Sequence, residues 1–149
     1  DLPDNRLDSL DRLDLIKVIE KKVESIVPDI IYTHHPWDLN IDHRRLHEAV
    51  ITATRPIPHQ TVKKILCFEI ASSTDWQSPN LFPSFSPNVF IDIKSQLERK
   101  IKSLKEYESE MREWPHSRSI KNIQNLANLR GSQVGLEAAE AFMLIRQVE

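Results

Sequence analysis

The segment THHPWDLNIDHRRLHEAV, residues 33–50, contains four histidines and two aspartates. Neutral imidazole and carboxylate groups are good ligands for zinc and similar divalent metals. A catalytic zinc site typically takes three protein ligands and leaves one position for water. The segment is therefore equipped to contribute to a hydrolytic metal site, although it need not supply every ligand.

Two interpretations of this segment stay open from the residue pattern alone. His43 and His47 are four residues apart and share one face of a predicted helix, a geometry that helical metal motifs use. The glutamate of an HExxH motif is absent, because residues 44–46 are Arg, Arg and Leu. A histidine pair of this spacing is also common on a solvated helix, and the Asp and Asn residues of a polar loop often only cap the helix that follows.

Alternating helical and extended patterns surround the segment. Apolar residues at helical spacing predict a helix from Leu10 to Val27, which Pro28 ends. Residues 29–33, DIIYT, lack polar alternation and predict a strand covered on both faces. A second helix is predicted over residues 42–54 and a second buried strand over residues 63–70, KKILCFEI.

The second half of the chain continues this pattern. Residues 72–88 predict a long ordered loop, residues 89–93 a short strand, and residues 93–114 a long amphipathic helix. From about Ile120 to the end we expect helix again, with a break at Arg130 and Gly131. The order of elements predicts an α/β fold with a mostly parallel sheet in one domain, residues 1–149. Because the chain begins with Asp1 and a polar stretch, we expect that the first strands of the sheet are missing.

Composition limits the classes of function. A formal net charge of -2 gives no basic surface for nucleic acid. The two glycines, Gly131 and Gly135, are too few for a phosphate-binding loop. No apolar run is long enough to predict a membrane span. The single cysteine, Cys67, lies in an apolar run and predicts a buried small hydrophobe, which fits a cytoplasmic setting.

The predicted fold gives the histidine-rich segment a position. In open α/β sheets, functional groups gather beyond the carboxyl ends of the strands. Because the segment directly follows the strand predicted over residues 29–33, we expect its polar side chains to lie in that crevice. The residues concerned are His34, His35, Asp38, Asn40, Asp42 and His43.

The same segment resembles the second metal motif of the LmbE/PIG-L family of zinc-dependent de-N-acetylases, which remove acetyl groups from N-acetylglucosamine-type sugars. The similarity continues in family order through Arg55-Pro56, FEIASSTDW (68–76), FSPNVFIDI (85–93), PHSRS (115–119) and NLRGSQVGLEAAEAF (128–142). It implies a Rossmann-like three-layer α/β/α fold, of which this chain is the C-terminal portion.

The resemblance also implies roles for single residues. His43 matches a zinc ligand, and Asp42 matches the acidic residue beside it. Asn40 stands where many members have a histidine that acts as an acid. Since asparagine cannot be that acid, either another group such as His34 or His35 takes the role or the subfamily works differently.

One family motif has no counterpart here. The other two zinc ligands and the general base come from a His-Pro-Asp-Asp stretch, whereas the only His-Pro of this sequence, His35-Pro36, is followed by Trp37. We therefore expect that this chain alone is inactive and binds metal weakly. Substrate contacts are predicted for Asp38, Arg55, Glu69, Trp76 and Arg118. A loop tryptophan such as Trp76 is more often a packing residue, and helix capping explains Arg55 equally well.

Three functions compete on this basis. The first is Zn(2+)-dependent hydrolysis of the N-acetyl amide of an N-acetylglucosamine-type sugar or conjugate, in a cytoplasmic protein that forms homo-oligomers as the family often does. The second is a non-catalytic module that binds an amino sugar or a partner. The third is a metal-dependent hydrolase of another class, such as a phosphoesterase, which would need more carboxylate ligands than Asp38 and Asp42.

Overall fold

The computed structural model describes residues 2–149, which form four α-helices and four strands. In chain order they are α1 (Arg12–Ile26), β1 (Ile30–His34), α2 (Ile41–Ala53), β2 (Lys64–Phe68), β3 (Val89–Asp92), α3 (Leu97–Lys105), α4 (Ile120–Ser132) and β4 (Ala139–Gln147). Short 3-10 helices cover Leu7–Ser9 and Lys94–Gln96. None of the helices in residues 2–149 has the length and apolar character needed to cross a bilayer.

The strands are hydrogen-bonded in the order β1-β2-β4-β3. Strands β1 and β2 run parallel, with His34 opposite Phe68, whereas β3 and β4 run antiparallel. The α/β class is therefore confirmed, whereas the sheet is mixed and does not confirm the mostly parallel sheet that the sequence predicts. The difference arises at the C-terminus, where a strand antiparallel to β3 replaces a predicted helix.

Two compact units divide the chain. The first reaches Ser86 and resumes from Met143 to Glu149, and the second is Pro87–Phe142. Strand β4 begins in the second unit and ends in the first. The assignment of residues 1–149 to a single domain stays a prediction.

The core of the first unit forms where α1 packs against α2. Its buried residues are Leu7, Leu15, Ile16 and Ala49. Strand β2 is also buried, with Ile65, Leu66 and Cys67 almost inaccessible to solvent. Both helices and this strand agree with the sequence prediction to within a few residues. Cys67 is a buried hydrophobe as expected, and burial raises the pKa of its thiol to about 12.

Strand β1 forms as predicted but is not covered on both faces. Thr33 is buried, whereas Ile30 is 47% and Tyr32 is 52% exposed. Ile30 and Tyr32 share one face of the strand, and that face is exposed, whereas Thr33 lies on the opposite face. The alternating side chains of β1 therefore face different environments.

In the second unit, the helix predicted over residues 93–114 is much shorter. Helix α3 ends at Lys105, and tight turns follow in which Tyr107 N–H donates to Leu104 O and Glu110 N–H donates to Tyr107 O. None of the residues of α3 is buried. Tertiary packing supplies most helix stability. The amphipathic residues beyond Lys105 do not pack strongly enough to extend the helix.

The C-terminal helix prediction is wrong beyond Ser132. Helix α4 continues through the predicted break at Arg130 and Gly131, and residues 139–147 form β4 instead of helix. The sequence AEAFMLIRQ is rich in residues that favour helices, but pairing with β3 overrides that preference.

Gly131 permits a close approach near the end of α4. A Cβ atom there would lie 2.7 Å from Leu136 O and 2.8 Å from Ala138 N. Both are backbone atoms and cannot turn aside. We expect Gly131→Ala to lower the free energy of unfolding by about 1–2 kcal/mol, since overpacking of about 1–3 kcal/mol exceeds the helix propensity gained.

Urea denaturation measures this effect. Ser132→Ala is the matched control, because Ser132 is exposed on the same turn of α4. Its midpoint should stay near that of the wild type. Equal midpoints for Gly131→Ala and the wild type would show that the backbone around residue 131 shifts with little loss of free energy of unfolding.

Candidate functional site

The end of β1 and the start of α2 bring the predicted site residues into one region of the first unit. His34 is the last residue of β1, and Asn40 is the N-cap of α2. Asp42 and His43 follow in the first turn of that helix, while His35 and Asp38 lie in the connecting loop. The region sits at the carboxyl end of β1, as the strand-end rule predicts.

Asn40 and Asp42 both hold the local backbone. The Asn40 side-chain oxygen accepts from Asp42 N–H at 2.8 Å, which is a helix N-cap. Asp42 Oδ1 accepts from Leu7 N–H at 2.8 Å and so ties the N-terminal segment to α2. The capping interpretation of the loop is therefore correct for Asn40, while the catalytic roles predicted for both residues stay predictions.

Asp38 is a completely buried carboxylate with several donors around it. Ser73 Oγ donates to Oδ1, and Thr74 Oγ1 donates to Oδ2 at 3.0 Å. The Asn40 N–H also donates to Oδ1, at 3.3 Å. His43 Nδ1 lies 3.2 Å from Oδ2. The carboxylate therefore joins the β1–α2 loop, the turn after β2 and helix α2.

These interactions keep Asp38 ionised. Burial alone would raise the pKa of its carboxyl group, but the interactions with His43, Ser73 and Thr74 outweigh burial and lower the pKa below its usual value. A carboxylate with no exposed surface cannot touch a sugar in this structure. Its predicted contact with substrate stays a prediction, while the observed contacts of Asp38 are all inside the site.

His43 is the site histidine with a carboxylate beside its ring. Its side chain is 19% exposed, whereas Nδ1 is buried. The 3.2 Å separation from Asp38 is short, although the direction of approach does not meet hydrogen-bond geometry. Histidines that bind metals usually have a carboxylate or carbonyl at the nitrogen that does not bind the metal. His43 therefore fits one position of a metal site.

His34 stacks on His43. The ring centroids are 4.1 Å apart and the planes differ by 17°. Because the rings are nearly parallel and stacked, their lone pairs lie in two separate planes and do not converge on one point. Burial, together with the neighbouring His43, lowers the pKa of His34 to about 4 despite the opposing effect of Asp38. His34 is therefore neutral near pH 7, which argues against its predicted role as the acid.

His35 anchors the loop that follows β2. It is buried, its Nε2 lies 3.2 Å from Pro83 O, and its ring packs edge-on against Phe85. Because a carbonyl oxygen only accepts, Nε2 must carry the proton. The catalytic role predicted for His35 would use a ring that already holds this loop in place.

His47 is a buried structural residue. Its Nδ1 lies 2.9 Å from His34 O and 3.6 Å from the Cys67 sulfur. The carbonyl requires an Nδ1–H on His47, which therefore bonds to β1. Burial lowers the pKa of His47, with a smaller opposing effect from the backbone contact. This geometry disfavours the helical site made by His43 and His47.

The remaining predicted substrate residues belong to different segments of the chain. Arg55 is exposed and lies 3.9 Å from Glu20. Glu69 follows β2 directly, and Trp76 is half exposed in the loop that comes next. Arg118 belongs to the second unit, where it pairs with Glu110. Their substrate roles stay predictions. Within residues 2–149, no three or more His, Cys, Asp or Glu side chains are grouped so that they could hold a metal ion.

Ser73 and Thr74 are the functional partners that sequence reasoning missed. From the sequence they belong to the turn SSTDW, which could line the sugar pocket, and to the similar stretch FEIASSTDW, but neither is singled out as a partner of Asp38. The signal was their position directly after β2, because neighbouring parallel strands end at the same edge of a sheet. That rule brings the residues after β1 and β2 together.

The low pKa of His34 makes the stability of the metal-free protein depend on pH. Its folded pKa of about 4 lies below the ordinary value of 6.5, so the unfolded chain binds the proton first as the pH falls. Stability is therefore lost between these values, by at most about 3 kcal/mol. Urea unfolding in the presence of a chelator, at about pH 7.5 and about pH 5, measures the loss.

Two substitutions separate His34 from the other histidines. His34→Gln should flatten the pH dependence, whereas His59→Gln should not, because His59 is exposed. Since the pKa of His47 is also lowered, part of the slope should remain in the His34 variant. An unchanged slope in His34→Gln would refute this assignment.

The fold and the site together define a class of protein. Its members have an α/β fold in which a histidine and a buried carboxylate lie beyond the end of a strand. The family PIG-L, described as GlcNAc-PI de-N-acetylase, matches residues 1–54, which include α1, β1 and α2. The resemblance to the LmbE/PIG-L family predicted from the sequence is thereby confirmed over residues 1–54. None of the proteins of curated function matches the chain.

Two solved structures share the fold. The N,N'-diacetylchitobiose deacetylase from Pyrococcus horikoshii, in complex with its inhibitor, has a TM-score of 0.66 and 18% identity, covering 91% of this chain and 52% of its own. A conserved protein from Thermus thermophilus has a TM-score of 0.73 and 13% identity, covering 99% of this chain and 64% of its own. At these identities the likeness concerns the fold. The chain thus spans about half to two thirds of the length of the two structures.

Proposed function

We propose that the chain, as part of a larger domain, takes part in zinc-dependent hydrolysis of the N-acetyl amide of an N-acetylglucosamine-type sugar or sugar conjugate. The observation that carries the proposal is the contact of His43 with the buried, ionised Asp38. The PIG-L match over residues 1–54 and the fold shared with a chitobiose deacetylase support it.

His43 would hold the metal as one of its ligands. Since a catalytic zinc typically has three protein ligands, the site requires further ligands besides His43. When bound, zinc supplies a nucleophilic water at neutral pH and polarises the amide carbonyl.

The residues around His43 have distinct tasks. Asp38 keeps His43 in place, and the neutral His34 packs against the face of its ring. The Asn40 side chain amide can donate a hydrogen bond to a developing oxyanion, although in this structure it donates to Asn5 at 3.4 Å. Proton transfer to the leaving amine needs a group other than Asn40, and the pKa of His34 makes that residue a poor choice.

Substrate contacts are proposed for Arg55, Glu69, Trp76 and Arg118. Trp76 offers a half-exposed indole on which a pyranose ring can stack. The proposal also includes a Rossmann-like three-layer fold, a cytoplasmic setting and a homo-oligomer, all of which follow from the family resemblance or composition.

The test uses the native, full-length protein with zinc and a panel of N-acetylglucosamine conjugates, including N,N'-diacetylchitobiose. Release of free amine is measured, and chelator-treated protein with and without added zinc is the control. We expect release that zinc restores. Sugar binding without release would favour a binding module, and release of phosphate from phosphoesters alone would favour another hydrolase; either result overturns the proposal.

A further inference from the structure

The turn after β2 is built to hold two hydroxyl groups in fixed directions. Ser73 N–H and Thr74 N–H both donate to Ile70 O, at 3.2 and 2.8 Å. Ile70 N–H in turn donates to Thr74 Oγ1 at 2.7 Å. Three hydrogen bonds therefore close the turn around Ile70, directly after the strand that pairs with β1.

Each hydroxyl has one proton, and the surroundings decide where it goes. Thr74 Oγ1 accepts from Ile70 N–H, and Ser73 Oγ accepts from Asn40 N–H at 3.2 Å. Both protons therefore remain for Asp38, one for each carboxylate oxygen. In both bonds to Asp38 the hydroxyl group is the donor and the carboxylate oxygen is the acceptor.

A buried acceptor next to a histidine selects one form of its ring. Either nitrogen of a neutral imidazole can carry the proton. A lone pair on His43 Nδ1 would lie 3.2 Å from the carboxylate oxygen and be repelled by it, whereas an Nδ1–H at the same place is attracted by the negative charge even though its direction is not that of a hydrogen bond. The carboxylate therefore favours the form with the proton on Nδ1 and a free lone pair on Nε2.

We propose that Asp38, held by Ser73 and Thr74, is the positioning residue of His43 and fixes its ring with the proton on Nδ1 and the lone pair on Nε2. This inference rests on the proposed function in one respect only, namely that the Nε2 lone pair binds the metal. His34 assists, because its ring covers one face of His43 at 4.1 Å. Asp38 thus acts through His43 and touches neither metal nor substrate.

Nitrogen-15 NMR of the metal-free, chelator-treated protein tests the inference near neutral pH. His43 should show a single dominant form protonated on Nδ1. Two internal references exist: His47 must carry an Nδ1 proton because it faces His34 O, and His59 is exposed. In Asp38→Asn, which keeps the shape of the side chain, His43 should become a mixture of both forms while His47 stays unchanged.

Ser73→Ala is the matched control, since it removes one donor to Asp38 and leaves the carboxylate beside His43. We expect it to keep the wild-type form of His43. In the full-length protein, Asp38→Asn should also weaken zinc binding by about 10- to 100-fold.

Two results overturn the inference. One is a wild-type protein in which His43 carries its proton on Nε2. This result does not depend on whether any variant folds. The other is a loss of the Nδ1–H form in Ser73→Ala equal to that in Asp38→Asn, which would indicate general loosening of the loop. Because the spectra are recorded without metal or substrate, an absence of amide hydrolysis with the expected spectra contradicts only the proposed function.

Discussion

His43→Ala in the native, full-length protein is expected to reduce zinc retention and amide hydrolysis by at least about 100-fold. The expectation follows because even a partner of a ligand costs about 10- to 100-fold when it is replaced, and His43 is the proposed ligand itself. The fold should survive, since the His43 side chain is partly exposed, although Asp38 and the stacked ring of His34 each lose a neighbour. Metal content by mass spectrometry and amine release measure the two effects.

His47→Ala is the matched control on the same helix. It removes the contact with His34 O and opens space beside Cys67, so we expect the free energy of unfolding to fall by about 1–3 kcal/mol. Zinc retention and activity should remain largely intact at a temperature where the variant is folded. If His47→Ala lost more zinc than His43→Ala, the helical pair would replace the family-derived assignment.

Asp38→Ala should destabilise the fold more than any other single change at the site, by about 3 kcal/mol or more. It strips a buried acceptor from Ser73 and Thr74, whose hydroxyl groups point into the interior. A buried donor left without a partner costs about 1–3 kcal/mol. Urea denaturation gives the change in free energy.

Asp42→Ala provides the comparison for this result. Asp42 is also a carboxylate of the site, but it is only partly buried and holds one backbone donor, Leu7 N–H. We expect its loss to cost about 1 kcal/mol. Equal losses for the two variants would mean that burial of Asp38 contributes little to stability.

The first half of the fold could be predicted because its patterns are strong. The apolar spacing of α1 is typical of an amphipathic helix, and the short apolar run of β2 is typical of a buried strand. The second half failed where local preference and tertiary context disagree. The stretch AEAFMLIRQ favours a helix by composition and becomes a strand because β3 pairs with it. The stripe beyond Lys105 has helical spacing without a packing partner that would hold it.

For the site, the sequence predicts where the residues lie but not which groups their side chains contact. The rule for strand ends placed His34, Asp38 and His43 correctly. It could not show that Asp38 points inward to Ser73 and Thr74, because the directions of loop side chains depend on backbone turns far away in sequence. The burial that lowers the pKa of His34 to about 4 is equally invisible in a sequence.

The bond between Leu7 N–H and Asp42 makes one amide proton a natural reporter of the site. Asp42 is the neighbour of His43 in the first turn of α2. Any ligand that makes this turn more rigid must also slow local opening, and hence hydrogen exchange, at Leu7. The occupancy of the proposed centre can therefore be followed at a backbone position outside the histidine-rich segment, without altering any residue that would bind the metal.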